Sequence, residues 1–335
     1  MRTWMWMGLG CVVVLAPSVN ACSGDTATTG GTAAHANAGV DAGATGGGGS
    51  AGTGRTDASG GAAGSGGAGE TCPPDGGALV SLKKFVGTPQ TLERPWTSGG
   101  PVTIDSRQGD LVVRLGDSGT VRATFSPFVL RAYCTAVEEV IADLSLLVAT
   151  LEADAGDSRG AVVKTDRLAA AVSTLGASIE VFLPPDFNGA LRILQQNGAS
   201  DVQFAGAARS FELTSDNGSC RVHTGSTAFS VNVSCANGEL EATLGGVPAG
   251  ALGGRFASGN GGLALTLPSG QRFSIQAQAL AGGIVDTGNV ATSGCTVQVA
   301  SEASKTISCN GATSAAPVYS AVADGTSLSN VSIAF

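Results

Sequence analysis

A turn signal returns at near-constant spacing down the second half of this chain. Asn197-Gly198, Asn217-Gly218 and Asn237-Gly238 stand 20 residues apart, and Asn260-Gly261 and Gly282-Gly283 follow at slightly longer steps. Between these marks run short alternating segments. Phe211 and Leu213 alternate with Glu212 and Thr214; Phe229, Val231 and Val233 with Ser230, Asn232 and Ser234; Leu240, Ala242 and Leu244 with Glu239, Glu241 and Thr243. Period two with one apolar face specifies half-buried strands. Asn-Gly and Gly-Gly at the corners supply positive φ at little cost. One such unit cannot bury its apolar face alone. Units stacked about 4.8 Å apart place like side chains on like, with an apolar column inside and a polar wall outside. The expected fold is all-β, a parallel β-solenoid of about 20-residue rungs with one short helix. Asn-Gly is also the strongest hairpin turn, so the alternative is an antiparallel β-sandwich. Near-equal spacing favours the solenoid, because a Greek key would bring unequal loops.

Composition narrows the function classes. Charged residues are 13% of the chain and Gly contributes 51 of 335 residues. A surface with so few charges is solvated by Ser, Thr, Asn and Gln, as in exported all-β proteins. The net charge of −8 argues against nucleic acid, which needs a Lys/Arg surface.

The N-terminus reads as an export signal over residues 1–21. Arg2 gives a minimal basic start, an apolar run extends from Trp4 to Ala16, and Val19-Asn20-Ala21 precedes Cys22. The run is too short to span a bilayer. Val-Asn-Ala-Cys resembles a bacterial lipobox, in which Cys22 becomes the acylated first residue. Asn two positions before the cysteine and Val in place of Leu depart from the usual pattern. Lipidation at Cys22 is preferred because a flexible tether follows at once; a plainly secreted protein is the alternative. By resemblance to lipoprotein sorting signals, Ser23 implies the outer membrane. Residues 22–71 are mostly Gly, Ala, Ser and Thr, a composition that cannot offset the entropy of ordering. As a coil this tether has an r.m.s. span of about 35–40 Å. His35 within it is a poor metal candidate.

The folded part is expected over 72–335. Strand signals appear at Val102–Ile104, Leu111–Leu115 and Val121–Phe125. Ala136, Val137, Val140, Ile141 and Leu144 recur at helical spacing, which predicts a helix from Ala132 to about Leu146. Strand signals resume at Leu147–Glu152 and Ala161–Thr165. The tail Val318–Phe335, with Val331 and Ile333 alternating, is expected to cap the last rung, since an uncapped solenoid aggregates.

Six cysteines lie beyond Cys22, an even number in an exported chain, and read as disulfides with fifteen possible connectivities. Cys295 opens one strand and Cys309 closes another, so Cys295–Cys309 is expected across a hairpin. Cys220 and Cys235 share inward parity at neighbouring corners, which suggests Cys220–Cys235. That leaves Cys72–Cys134, pinning the end of the tether. No Cys-x-x-Cys occurs, and zinc is not expected.

Motifs for chemistry are weak. The nucleophile-elbow spacing around Ser50 lies in the tether, and Ser81-x-x-Lys84 lacks its partner motifs. Gly116-Asp117-Ser118-Gly119 reads as a turn. The acidic stretch from Glu152 to Ser158 lacks the spacing of a calcium loop. Glu239 and Glu241 share an outward face, as paired acids do in polysaccharide-cleaving β-helices, but no aromatic platform accompanies them. His223 stands on the same polar side. No catalytic residue, cofactor or metal is expected.

Several stretches together resemble a bacterial candidate-adhesin domain family of parallel β-solenoid type. They are Gly109–Val113, Ile179–Pro184 with Asn197-Gly198 after it, the Asn217-Gly218 and Asn237-Gly238 rungs, and Gly261–Pro268 followed by Phe273–Ala277. The resemblance covers about residues 100–290 and implies no established chemistry and no catalytic residues; the extra cysteines depart from the plain pattern. The reading is a non-enzymatic, lipid-anchored cell-envelope protein, an adhesin-like structural or surface-contact module. The membrane is engaged through the anchor, and no nucleic acid is bound. A module binding an envelope glycan or surface protein is the alternative, with a carbohydrate-active enzyme a weaker one.

Overall fold

The computed structural model describes residues 82–335, apart from 133, 169–173, 205–207, 226–229, 289, 291–292 and 326–328. Residues 1–21, expected as an export signal, Cys22, the expected tether over 22–71 with His35 and Ser50, Cys72, Ser81 and Phe229 lie outside the described residues.

Strands β1 (Leu82–Val86) and β2 (Gln90–Pro95) lead into β3 (Val102–Gln108), β4 (Leu111–Leu115) and the long β5 (Thr120–Ala132). Helix α1 (Val137–Leu144) precedes β6 (Leu147–Ala153), β7 (Ala161–Arg167) and β8 (Leu175–Leu183). Then come β9 (Ala190–Asn197), β10 (Ser200–Phe204), β11 (Ser210–Asn217), β12 (Cys220–Thr224), β13 (Ser230–Asn237), β14 (Leu240–Leu244), β15 (Gly253–Ser258) and β16 (Leu263–Thr266). The C-terminal part holds β17 (Phe273–Ala279), β18 (Val285–Asp286), β19 (Cys295–Ser301), β20 (Ser304–Cys309), β21 (Val318–Ala323) and β22 (Val331–Ala334).

The alternating segments become parallel rungs. Ser200 pairs with Cys220 and Cys220 with Leu240, the 20-residue step of the sequence; Leu240 pairs with Leu263, a longer step of 23. Each rung gives one strand to each of two sheets that face one another without closing. The path is therefore a solenoid, while the layering is that of two facing sheets, with antiparallel strands confined to the ends. Inward residues follow the predicted parity: Leu191, Ile193, Phe211, Leu213, Val231, Val233, Leu240 and Ala242 are all buried.

Stack order departs from chain order at both poles. Strand β3 pairs in parallel with β7 and β9, and β4 with β8 and β10. The β3–β4 rung thus lies between two rungs that follow it in sequence. At the other pole β21 lies between β15 and β17, and β22 between β16 and β18. The tail expected to cap the stack is instead an inserted rung, with Tyr319, Ala321, Val331 and Ile333 buried. Antiparallel strands finish the ends: β5 on β8, β6 on β7, and the β20–β19 hairpin on β17.

The helix is shorter than its apolar spacing suggested. Residues up to Ala132 belong to β5, where Ala132 pairs with Leu82, and Ala136 remains extended at φ −62°, ψ 142°. Val140 and Leu144 pack with Val129, Leu147 and Leu175 in a small second core. Asp143, on the same helix, accepts from Arg131 Nε at 2.6 Å. That bond is the main cause holding Arg131 above the ordinary guanidinium value.

Candidate contact surfaces

The corner marked by Asn-Gly is a hydrogen-bonded ladder. Asn217 Nδ2 donates to Asn197 Oδ1 at 3.0 Å, Asn237 Nδ2 to Asn217 Oδ1 at 2.9 Å, and Asn260 Nδ2 to Asn237 Oδ1 at 2.7 Å. The same amides also donate to backbone carbonyls one rung away: Asn217 to Gln196 and Asn237 to Asp216. The sequence marked the positions but assigned them only to turn geometry. The signal for the stacking was the recurrence of Asn itself, at steps of 20, 20 and 23 residues. Replacing Asn217 by Ala should cost about 1 kcal/mol, measured as a lower urea midpoint. Asn217→Asp should cost at least as much at neutral pH, because a carboxylate cannot donate to Asn197 Oδ1, and should recover in part below about pH 4, where the acid regains a proton.

Inside this corner, carbonyls that face inward are met by buried polar groups. Gln195 Nε2 donates to the Gly109 carbonyl at 2.9 Å and the Ala199 carbonyl at 3.2 Å, and Ser200 Oγ donates to Gln195 Oε1. Three rungs on, Ser258 Oγ donates to the carbonyls of Gly238 and Gly261. Cys220 follows Ser200 in one column and Cys235 follows Ser215 in the other. Cys220 and Cys235 lie at disulfide distance with Cα atoms 6.3 Å apart, linking adjacent rungs. Cys295 and Cys309 are directly opposed in the β19–β20 ladder and lie at disulfide distance, with Cα atoms 3.9 Å apart. Cys134 is also disulfide-bonded; Cys72, its predicted partner, lies outside the described residues.

The outward walls carry charge in pairs that cross from rung to rung. Arg114 lies 3.4 Å from Asp201 and 3.8 Å from Glu180. Arg192 meets Glu212 at 3.3 Å, and Arg221 Nε donates to Glu241 at 2.9 Å. The Glu241 hydrogen bond, then its charge, raises Arg221 above the ordinary guanidinium value. Exposed pairs of this kind contribute about 0–1 kcal/mol each. Their effect is local neutralisation of charge along the walls.

The predicted chemical candidates fall on these walls separately. Glu241 is engaged by Arg221, while Glu239 is exposed at the corner before β14. His223 is exposed and, with Gln203, Arg221, Glu241 and Thr243, lines a shallow depression of about 240 Å³. Gly116–Gly119 forms the turn between β4 and β5, with Asp117 paired to Arg122 at 3.5 Å. In the acidic loop after β6, Asp154 Oδ1 accepts from the backbone N–H groups of Gly156 and Asp157. The Arg159 side chain and then its backbone N–H hold the Asp157 carboxyl down to about 2. These oxygens serve the turn itself. Among the described residues no three of His, Cys, Asp and Glu gather as a metal site.

No family model and no curated protein matches the sequence. Among solved structures, the chain is similar to a candidate cell adhesion protein from Clostridium sporogenes, at 7% identity and a TM-score of 0.39, over 73% of this chain and 99% of that one. It is also similar to a candidate adhesin from Bacteroides fragilis, at 9% identity and a TM-score of 0.27, over 73% and 97%. A candidate lipid binding protein from Parabacteroides distasonis aligns at 12% identity and a TM-score of 0.19, over 72% and 96%.

Proposed function

We propose that this chain is an exported, lipid-anchored, non-enzymatic protein of the bacterial cell envelope, whose solenoid is an adhesin-like contact module on a flexible stalk. The observation that carries the reading is the polarity of the stack. The described chain enters through β1 and β2, both paired to β5 at one pole, while β18 and β19 finish the sheets at the other. A tether joined at the first pole leaves both walls and the far pole free for contact. The cysteine pairs at disulfide distance fit an oxidising compartment outside the cytoplasm. A second reading, an envelope glycan-binding module, draws on the depression beside His223 and Arg221, whose lining offers hydrogen-bond donors and acceptors without an aromatic platform.

Intact mass and membrane fractionation of the native chain, beside Cys22→Ala, test the anchor. A diacylglyceryl-type mass increment on Cys22 is expected, lost in the variant together with membrane retention. A native chain that starts at Cys22 without added mass and fractionates as soluble would overturn the anchored reading.

A further inference from the structure

The edge strands of the two poles differ in chemistry. Strand β1 carries Lys83 and Lys84, β2 carries Glu93, Arg94 and Pro95, and β6 carries Glu152. Charge and proline on an edge oppose strand addition. Strand β18 is only two residues long and carries Asp286. Strand β19, by contrast, runs for seven residues, Cys-Thr-Val-Gln-Val-Ala-Ser, with no charge and no proline, and it holds regular register on β20 from Cys295 to Val299 before a shift between Val299 and Ser301. Among the described residues it has a strand on one side only, β20. Val299 is 65% exposed, and Val297 is half-buried against the core.

The register of the hairpin shows which backbone groups are free. Asn310 N–H donates to the Gly294 carbonyl at 3.0 Å, and Cys295 stands opposite Cys309. Alternation in an antiparallel ladder then turns the backbone groups of 294, 296 and 298 towards β20 and those of Cys295, Val297 and Val299 away from it. The Cys295–Cys309 link pins this register at the start of the strand.

We propose that β19 is a self-association edge, and that a second copy of this chain adds its own β19 antiparallel about a two-fold axis at Gln298. In that register Val297 faces Val299 of the partner subunit, and both residues direct their free N–H and C=O groups across the new boundary. The two symmetry-related pairs supply four backbone hydrogen bonds. They also set β-branched side chains opposite one another, a favourable cross-strand pairing. The register shift between Val299 and Ser301 falls just beyond this stretch, so the regular pairing rests on Val297 to Val299, where no charge is juxtaposed. A second copy fits because one short sequence satisfies both sides of the contact, and on a chain of net charge −8 an edge without charge lets two copies approach. A two-fold interface of this kind is closed and ends at a dimer. The pole that carries β1 lies away from β19, so the paired molecules extend their tethers in opposite directions, as contact between opposed surfaces requires. The inference deepens the contact-module reading by naming its edge and its partner.

Sedimentation velocity of the full chain tests it, with Cys22→Ala in every sample so that any acyl group is absent and the outcome is independent of the anchor. The reference chain is expected to form a concentration-dependent dimer. Val299→Pro removes an N–H that points away from β20, so the hairpin stays paired while self-association weakens at least about tenfold. Gln298→Cys is expected to give a disulfide-linked dimer on mild oxidation, since the two Gln298 positions oppose each other as a non-hydrogen-bonded pair, the arrangement Cys295 and Cys309 already have. Thr296→Cys, out of register with its own copy, is expected to give none. A chain that stays monomeric at every soluble concentration would overturn the proposal and leave the edge to another protein's strand. So would a dimer that survives Val299→Pro and is not trapped through Gln298→Cys.

Discussion

Gly218→Ala is expected to destabilise the protein by about 4 kcal/mol or more, enough to prevent accumulation of folded material. Two costs coincide at this corner. Gly218 has φ +131°, a region that residues with a Cβ avoid, worth about 1–3 kcal/mol by itself. A Cβ there would also lie 2.0 Å from the Gly198 carbonyl oxygen and 2.5 Å from its carbon. Those atoms belong to the rung beneath, whose Gly198 N–H donates to the Asn217 carbonyl at 2.9 Å. Relief therefore requires the rungs to separate at the corner where the Asn ladder and the Cys220–Cys235 link hold them together. Gly270→Ala separates the two costs. Gly270 also has a left-handed φ, +76°, but an added Cβ meets nothing within 4 Å. It is expected to lose only about 1–2 kcal/mol. Equal shifts of the urea midpoint in the two variants would mean that close approach of the rungs is not what demands glycine at position 218.

This contrast marks what the sequence could and could not disclose. Strand parity was legible because period two is a local property: Phe211, Leu213, Val231 and Val233 are inward wherever their rung sits. The Cys220–Cys235 and Cys295–Cys309 pairs were legible for the same reason, since parity and corner position define which side chains can meet. Helix α1 was legible from Val137 onward, while Ala132, the predicted start, is claimed by β5 through its pairing with β1, which no local spacing encodes. The vertical order of rungs was the least legible feature. An alternating strand fits above almost any other alternating strand, so chain order was the natural expectation. One clue was present without a partner to interpret it. Gly254 occupies the inward column continued by Val231, and Tyr319 stands directly opposite it in β21. The largest fully buried side chain thus stands beside a position without one, where an added Cβ would lie 2.0 Å from the Val231 carbonyl oxygen. The walls were less legible still: pairs such as Arg114–Asp201 join residues 87 apart, and their proximity depends on the stack already being known.

Removing residues 318–335 should therefore do more than strip a cap. In a simple solenoid the last rung has one neighbour, and its loss costs one interface. Here β21 and β22 have neighbours on both sides, so two parallel interfaces are lost. Strand β17 joins the stack in its sheet through β21, and β18 joins through β22. The β19–β20 hairpin is carried on β17 in turn. The aromatic side chains of this region are also linked through the deleted rung: Tyr319 lies 6.4 Å from Phe256 and 6.1 Å from Phe273, ring centre to ring centre, and Phe335 stacks on Phe273 at 6.2 Å. Loss of Tyr319, Val331 and Ile333 alone forfeits about 1.5–3 kcal/mol each, a sum comparable with the whole stability of an ordinary domain. Limited proteolysis of the truncated chain should digest residues 267–317 while the rungs up to Thr266 stay resistant. Tyr319→Ala in the full-length chain should reproduce part of this, with a loss of about 3–5 kcal/mol and faster cleavage confined to the same segment. If 267–317 remained as protected in the truncated chain as in the intact one, the hairpin and β17 would be holding themselves in place. The inserted rung would then be an addition to that pole and not the element that joins it to the stack.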